Sequence, residues 1–258
     1  PSPEAIAPKM DIVRELYQQA YQSAKTTEEK IAVADEMQAA AEQTQDDPEG
    51  QFALYRVARE IYVREGDLRS AMAIVQVLDR TFNELAALKR MHEVIVNVAR
   101  PTTQADDYSR IGLWLTEQCL SAGRVELAED TFDTLRDRLV RIPADQLPQL
   151  KWTKDRLKNA RELLDAYEFA GMKLQSDPAD ADAQASTGKY LAIVESRWDE
   201  ALARLAAGSD PIFRQAASAE QSDSALAQPN ALEVADLWFD IFRSTDAPLD
   251  RHALASHA

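Results

Sequence analysis

A short pattern recurs along the chain and limits what it can become. Gly66-Asp67-Leu68-Arg69-Ser70-Ala71 returns as Gly123-Arg124-Val125-Glu126-Leu127-Ala128 and again as Ser196-Arg197-Trp198-Asp199-Glu200-Ala201. Each copy holds a small residue, a bulky apolar residue two positions on and an alanine five positions on. Glycine at the first position is the usual left-handed end of a helix. Each copy also lies between two segments whose apolar residues repeat at helical spacing. The pattern therefore predicts a helical hairpin used at least three times. The fold class that follows is all-α, an irregular stack of antiparallel helical hairpins with no sheet.

The rest of the chain agrees with that reading. Glycine occurs only 7 times in 258 residues, which disfavours strands joined by tight turns. Ile12, Leu16, Ala20 and Ala24 make one stripe, and Thr26 with Glu29 is a capping-box signature for the next helix. Asp47-Pro48, Asp177-Pro178 and Asp210-Pro211 each read as a helix start, with aspartate accepting from free amides and proline losing nothing it needed. A helix over 82–98 is expected to bury Leu85, Leu88, Met91 and Ile95 and to break at Pro101. A long helix is expected over 149–174, and ten or eleven helices in all. The domain reading is an irregular lead-in over 1–9, one helical domain over 10–243 with a candidate subdivision at 143–148, and a loose tail over 244–258.

Charge and motif content exclude several function classes. The net charge is -15, and the last third is the most acidic, with 14 acids against 6 bases over 177–258. That balance opposes nucleic acid and anionic membranes, which need a basic surface. No apolar run reaches the roughly 20 residues of a membrane-spanning helix, so no membrane insertion is expected. The single cysteine, Cys119, excludes an internal disulfide and a cysteine-based zinc site and reads as a core residue. His92, His252 and His257 lack the spacing of a helical metal pair, and no phosphate-cradling glycine loop, G-x-S-x-G elbow or H-E-x-x-H is present. Asp177, Asp180 and Asp182 lack the central glycine and final glutamate of a calcium loop. No catalytic residue, metal or cofactor is assigned.

Two surface features stand out. Lys151, Lys154, Lys158 and Arg161 share one face of the long helix. That face is either a site for an anion or acidic partner or a solvated helix face. Leu237, Trp238, Ile241 and Phe242 form an apolar stripe near the end of the chain. The stripe either caps the preceding hairpin or docks a neighbour.

The hairpin pattern resembles the tetratricopeptide repeat. Tyr55, Ala58, Tyr62, Gly66, Leu68, Ala71 and Val75 fall at that family's spaced positions. So do Gly112, Leu115, Cys119, Gly123, Val125, Ala128 and Phe132, and then Ala185, Gly188, Ala192, Ser196, Trp198, Ala201 and Leu205. The intervals between the marker alanines are 57 and 73 residues, against 34 in the family, so the resemblance is to a degenerate array with extra helices between units. It implies a groove lined by the first helix of each hairpin, with Arg56, Glu60, Arg110, Glu117 and Tyr190 pointing into it. Two longer runs, residues 24–82 and 177–211, are similar to helical regions of large planctomycete-type bacterial proteins. That second resemblance implies a module of a larger, extracytoplasmic chain or assembly. The leading expectation is a non-catalytic scaffold for a protein or peptide partner. The alternative is a spacer in a glycan-handling protein, and an all-helical enzyme is the third.

Overall fold

The helices begin and end where capping chemistry allows. In a computed structural model of the chain, residues 2–82, 86–99, 105–139, 143–222 and 228–257 are described. Among them lie thirteen α-helices, one 3-10 turn (Ala144–Gln146) and no strand. The first five helices are α1 (Pro3–Ser23), α2 (Thr27–Gln43), α3 (Pro48–Glu65), α4 (Leu68–Phe82) and α5 (Ala87–Asn97). Then come α6 (Ala105–Ser121), α7 (Val125–Arg138) and the long α8 (Leu147–Ser176). The last five are α9 (Ala181–Ile193), α10 (Trp198–Ala206), α11 (Pro211–Glu220), α12 (Gln228–Ser244) and α13 (Pro248–His257).

The three copies of the recurring pattern share a backbone feature. Gly66 has φ 86°, Gly123 has φ 68° and Ser196 has φ 54°, all left-handed. The next amide in each copy then reaches back into the preceding helix. Asp67 N–H donates to the Tyr62 carbonyl, Arg124 N–H to that of Cys119 and Arg197 N–H to that of Leu191, each at 2.8 Å. Orphan carbonyls at the helix ends are satisfied this way. The alanines five positions on, Ala71, Ala128 and Ala201, are fully buried.

Two compact units divide the chain. The first is Pro1–Leu115 with Thr131–Gln146, and the second is Thr116–Asp130 with Leu147–Ala258. The division runs through the middle of α6 and of α7.

In the first unit α3 is central and touches α1, α2, α4 and α5. It is accordingly apolar around much of its circumference, burying Phe52, Ala53, Leu54, Tyr55, Val57, Ala58, Ile61 and Tyr62. The Tyr62 hydroxyl donates to Asp35 Oδ1 at 2.6 Å, which gives the buried phenol an acceptor. Arg138 of α7 closes the C-terminal end of α5, donating to the Ile95 carbonyl at 2.6 Å and to those of Val96 and Val98. In the second unit α9 has α8, α10 and α13 as neighbours. Gly188 sits against α10 so closely that a Cβ there would lie 2.9 Å from the Leu205 backbone nitrogen.

Several expected boundaries move. The lead-in is helical: Ser2 caps α1 by accepting from Ala5 N–H, Pro3 occupies its first turn, and Ile6 and Met10 are buried. Three prolines argue for irregularity, but one lies outside the described residues, Pro3 sits in the first turn where its missing N–H loses nothing, and Pro8 lies inside α1 at the loss of one backbone bond. The tail is also helical, because Ala253 and Leu254 of α13 find a core to enter. Asp177-Pro178 does not start a helix. Asp177 accepts from Ala179 N–H at 3.0 Å in a local turn, and Asp180 is the cap of α9, accepting from Ala183 N–H at 2.8 Å. The helix expected over 82–98 is shorter, since Phe82 belongs to α4. Leu85 and the break at Pro101 lie outside the described residues.

Candidate functional site

The face of α3 turned away from its core carries Arg56, Arg59, Glu60 and Arg64 within three helical turns. A channel of three contiguous hollows runs over this face. The first, about 350 Å³, is walled by Ile6 and Met10 of α1, Phe52 and Arg56 of α3, Phe82 of α4 and Arg90 of α5. The second, about 430 Å³, lies among Arg59, Glu60, Val63 and Arg64 of α3 and Arg90, Glu93, Val94 and Asn97 of α5. The third, about 190 Å³, is bounded by Arg14, Tyr17, Gln18 and Tyr21 of α1 and by Val57, Glu60, Ile61 and Arg64 of α3. Arg90 separates the first two hollows, and Glu60 with Arg64 separates the last two.

Among the described residues, Arg14, Arg56, Arg59, Arg64 and Arg90 line this channel, together with the carboxylates of Glu60 and Glu93. The carboxylates are engaged. Arg14 holds Glu60 through one guanidinium nitrogen, at 3.1 and 3.3 Å to its two oxygens, and Arg90 holds Glu93 at 2.9 Å. Arg64 is exposed and donates to the Tyr21 hydroxyl at 3.5 Å, with its guanidinium 5.8 Å from the ring centre. Tyr21 in turn donates to Glu65 at 2.7 Å, which fixes the ring. Arg56 lies 5.9 Å from the Phe52 ring centre, and its Nε is buried without an acceptor. Burial, reinforced by the Glu36 carboxylate, pushes the Tyr17 hydroxyl above the ordinary phenol range. The channel thus has aromatic walls in its first and third hollows and guanidinium groups along its length.

Of the residues the hairpin resemblance assigned to a groove, only Arg56 and Glu60 meet here. Arg110 is exposed elsewhere in the first unit and pairs with Asp145 at 3.6 Å. Glu117 and Tyr190 are corrections, because both turn inward within the second unit. Glu117 forms an ion pair with Arg156, itself only 3% exposed, and accepts from Thr153 Oγ1 at 2.7 Å. Desolvation pulls the Arg156 guanidinium below its usual range, against the opposing pull of Glu117. Tyr190 is buried and stacks on Tyr167 with ring centres 4.3 Å apart, and burial, with Glu195 and other acids nearby, pushes its hydroxyl up to about 12. Arg14, Tyr17, Tyr21 and Arg90 escaped sequence reasoning, since their juxtaposition with α3 depends on how α1 and α5 pack. Arg64 was within reach, two turns along α3 from Arg56.

The basic stripe of α8 separates in the structure. Lys151, Lys154 and Lys158 are exposed, with Lys158 3.7 Å from Glu162. Arg161 instead turns to Glu129, with its Nε 3.0 Å from one carboxylate oxygen and Nη2 on the other. Exposed Asp155 and Glu162 interleave with the lysines.

The C-terminal stripe divides as well. Trp238 and Ile241 are buried, and Trp238 Nε1 donates to Glu220 Oε2 at 2.7 Å. Trp198 and Phe213 meet the Trp238 ring edge-on at 5.4 and 6.0 Å, while His257 stacks on Trp198 at 3.6 Å and approaches Glu220 at 3.0 Å. These two members of the stripe are therefore core of the second unit, covered by α13. Leu237 is half-buried, and Phe242 stacks on exposed Phe239 at 5.7 Å.

Among the described residues no group of three or more His, Cys, Asp or Glu side chains is placed to hold a metal ion. No helix searched among them is long and apolar enough to cross a membrane. Comparison with protein-family models, with curated proteins and with solved structures gives no match.

Proposed function

We propose that this chain is a non-catalytic helical-repeat scaffold, and that it holds a protein or peptide partner along the channel over α3. The observation that carries the reading is the channel itself. Four helices, α1, α3, α4 and α5, contribute polar, cationic and aromatic side chains to one open trough over α3. Hairpins arranged as in tetratricopeptide arrays bury one face and leave the other free, so such a trough forms without disturbing stability. Arginine and tyrosine are the residue types that supply much of the binding energy where proteins meet.

The test is a photo-crosslinking residue introduced at Gln18, in the channel wall, and separately at Lys154 on the exposed lysine face of the second unit. A scaffold that uses the channel yields a discrete adduct with a partner from Gln18 and none from Lys154. Equal, unspecific labelling at both positions, or none from Gln18, would overturn the assignment. A chain serving only to space other domains behaves in the second way.

A further inference from the structure

We infer that the channel over α3 receives an acidic segment in extended conformation, with carboxylates meeting Arg56 and Arg64. This rests on the reading of the channel as a partner site and specifies its chemistry. Among the described residues neither Arg56 nor Arg64 has a carboxylate partner, whereas Glu60 between them is already neutralised by Arg14. The chain therefore leaves positive charge at two points along the trough, Arg56 in the first hollow and Arg64 between the second and third. The Nε of Arg56 is a buried donor with no acceptor, and a group left in that condition costs stability until an acceptor arrives. Guanidinium and carboxylate match as two parallel hydrogen bonds, stronger than neutral ones.

Charge selects the occupant. A chain of net charge -15 repels acidic partners over most of its surface, so Arg56 and Arg64, with no carboxylate partner among the described residues, mark where such a partner is admitted. A long polyanion is disfavoured, because it would need a broad basic surface and would meet this acidic chain beyond the channel. Spacing selects the conformation. Eight helical residues separate Arg56 from Arg64, about 12 Å along the axis at a rise of ~1.5 Å per residue. Four residues of extended chain cover about 13 Å and return the side chain to the same side. The matching ligand has acidic residues at positions i and i+4, with apolar or aromatic side chains between them to lie against Tyr17, Tyr21 and Phe52.

The experiment is fluorescence anisotropy on the full chain with a labelled peptide of about ten residues, a length that overfills the span estimated above. The peptide carries two glutamates four positions apart on a serine, threonine and valine background, and matched peptides carry glutamine or lysine instead. The glutamate peptide is expected to bind, and the glutamine peptide to bind at least about tenfold more weakly, the loss expected for one charged hydrogen-bonded pair. R56Q and R64Q should each weaken the glutamate peptide by about the same factor, and R64E further. Arg64 is exposed, so its variants remain informative if R56Q fails to fold. Equal binding of the glutamate and glutamine peptides, indifference to R64E, or tighter arginine-dependent binding of a single-stranded RNA would each overturn the acidic-segment inference. Should the glutamine or lysine peptide bind in the channel while the glutamate peptide does not, the partner site stands and its assigned chemistry falls. Should no peptide of any charge bind, both fall.

Discussion

Arg156 and Asp250 are charged groups for which burial, not the neighbour, is the larger influence. Arg156 depends on Glu117 for its counter-charge, and its own Nε has no acceptor. Glu117→Gln leaves the guanidinium buried and uncompensated, and should destabilise the protein by about 3–5 kcal/mol in urea unfolding. The double variant E117M/R156M should recover most of that loss, since an apolar pair of similar volume tolerates the site. A small effect of E117Q would mean that water reaches the pair. Asp250 of α13 has an Oδ1 with no partner, and burial pushes its carboxyl above the usual range against weaker lowering by Asn159 and Lys189. The folded state then binds this proton more tightly than the unfolded state, so stability contributed at low pH declines as pH rises through the folded-state value. Asp250→Asn should raise the melting temperature near about pH 8 and leave it unchanged near about pH 3, below the ordinary carboxylate range. A uniform shift at all pH values would instead point to altered packing.

At the scale of elements, the three hairpin turns are one device executed with two residue types. Left-handed backbone costs a residue with a Cβ about 1–2 kcal/mol and glycine little. Gly66 has room for a side chain, since a Cβ at that position would have its nearest neighbour 3.7 Å away, so Gly66→Ala measures the backbone cost alone. It should destabilise by about 1 kcal/mol or more, while Ser196→Gly should stabilise by up to about 1 kcal/mol, both read by chemical denaturation. An unchanged S196G would show that the serine side chain offsets its own strain. These turns were legible in the sequence, because glycine and the residues after it report local geometry. So were the caps at Thr26, Asp47 and Asp210. The cap at Asp180 is not separable from Asp177 by sequence, because only two residues lie between two aspartates of equal capping ability.

Taken whole, the chain carries 44 acidic against 29 basic side chains, and self-repulsion opposes its compact state. Raising NaCl from about 20 mM to about 300 mM shortens the screening length severalfold and should raise the melting temperature. A fall would mean that ion pairs such as Arg69 with Asp107, where the guanidinium holds the carboxyl below its usual range, outweigh the net repulsion. The sequence by itself determined the class of fold, the hairpin turns and the acidic balance, since helical periodicity, glycine and composition act locally or as sums. The placing of Arg56 and Glu60 in one groove came from the hairpin resemblance, not from the residues alone. The tertiary structure alone decided which polar groups line an open hollow and which face the core. Glu117 and Tyr190 share the polar, amphipathic chemistry of Arg56 and Arg64, but neighbours remote in sequence enclose the first two and leave the second two lining an open channel. Only packing can make that distinction, because burial depends on which helix face a distant segment comes to cover.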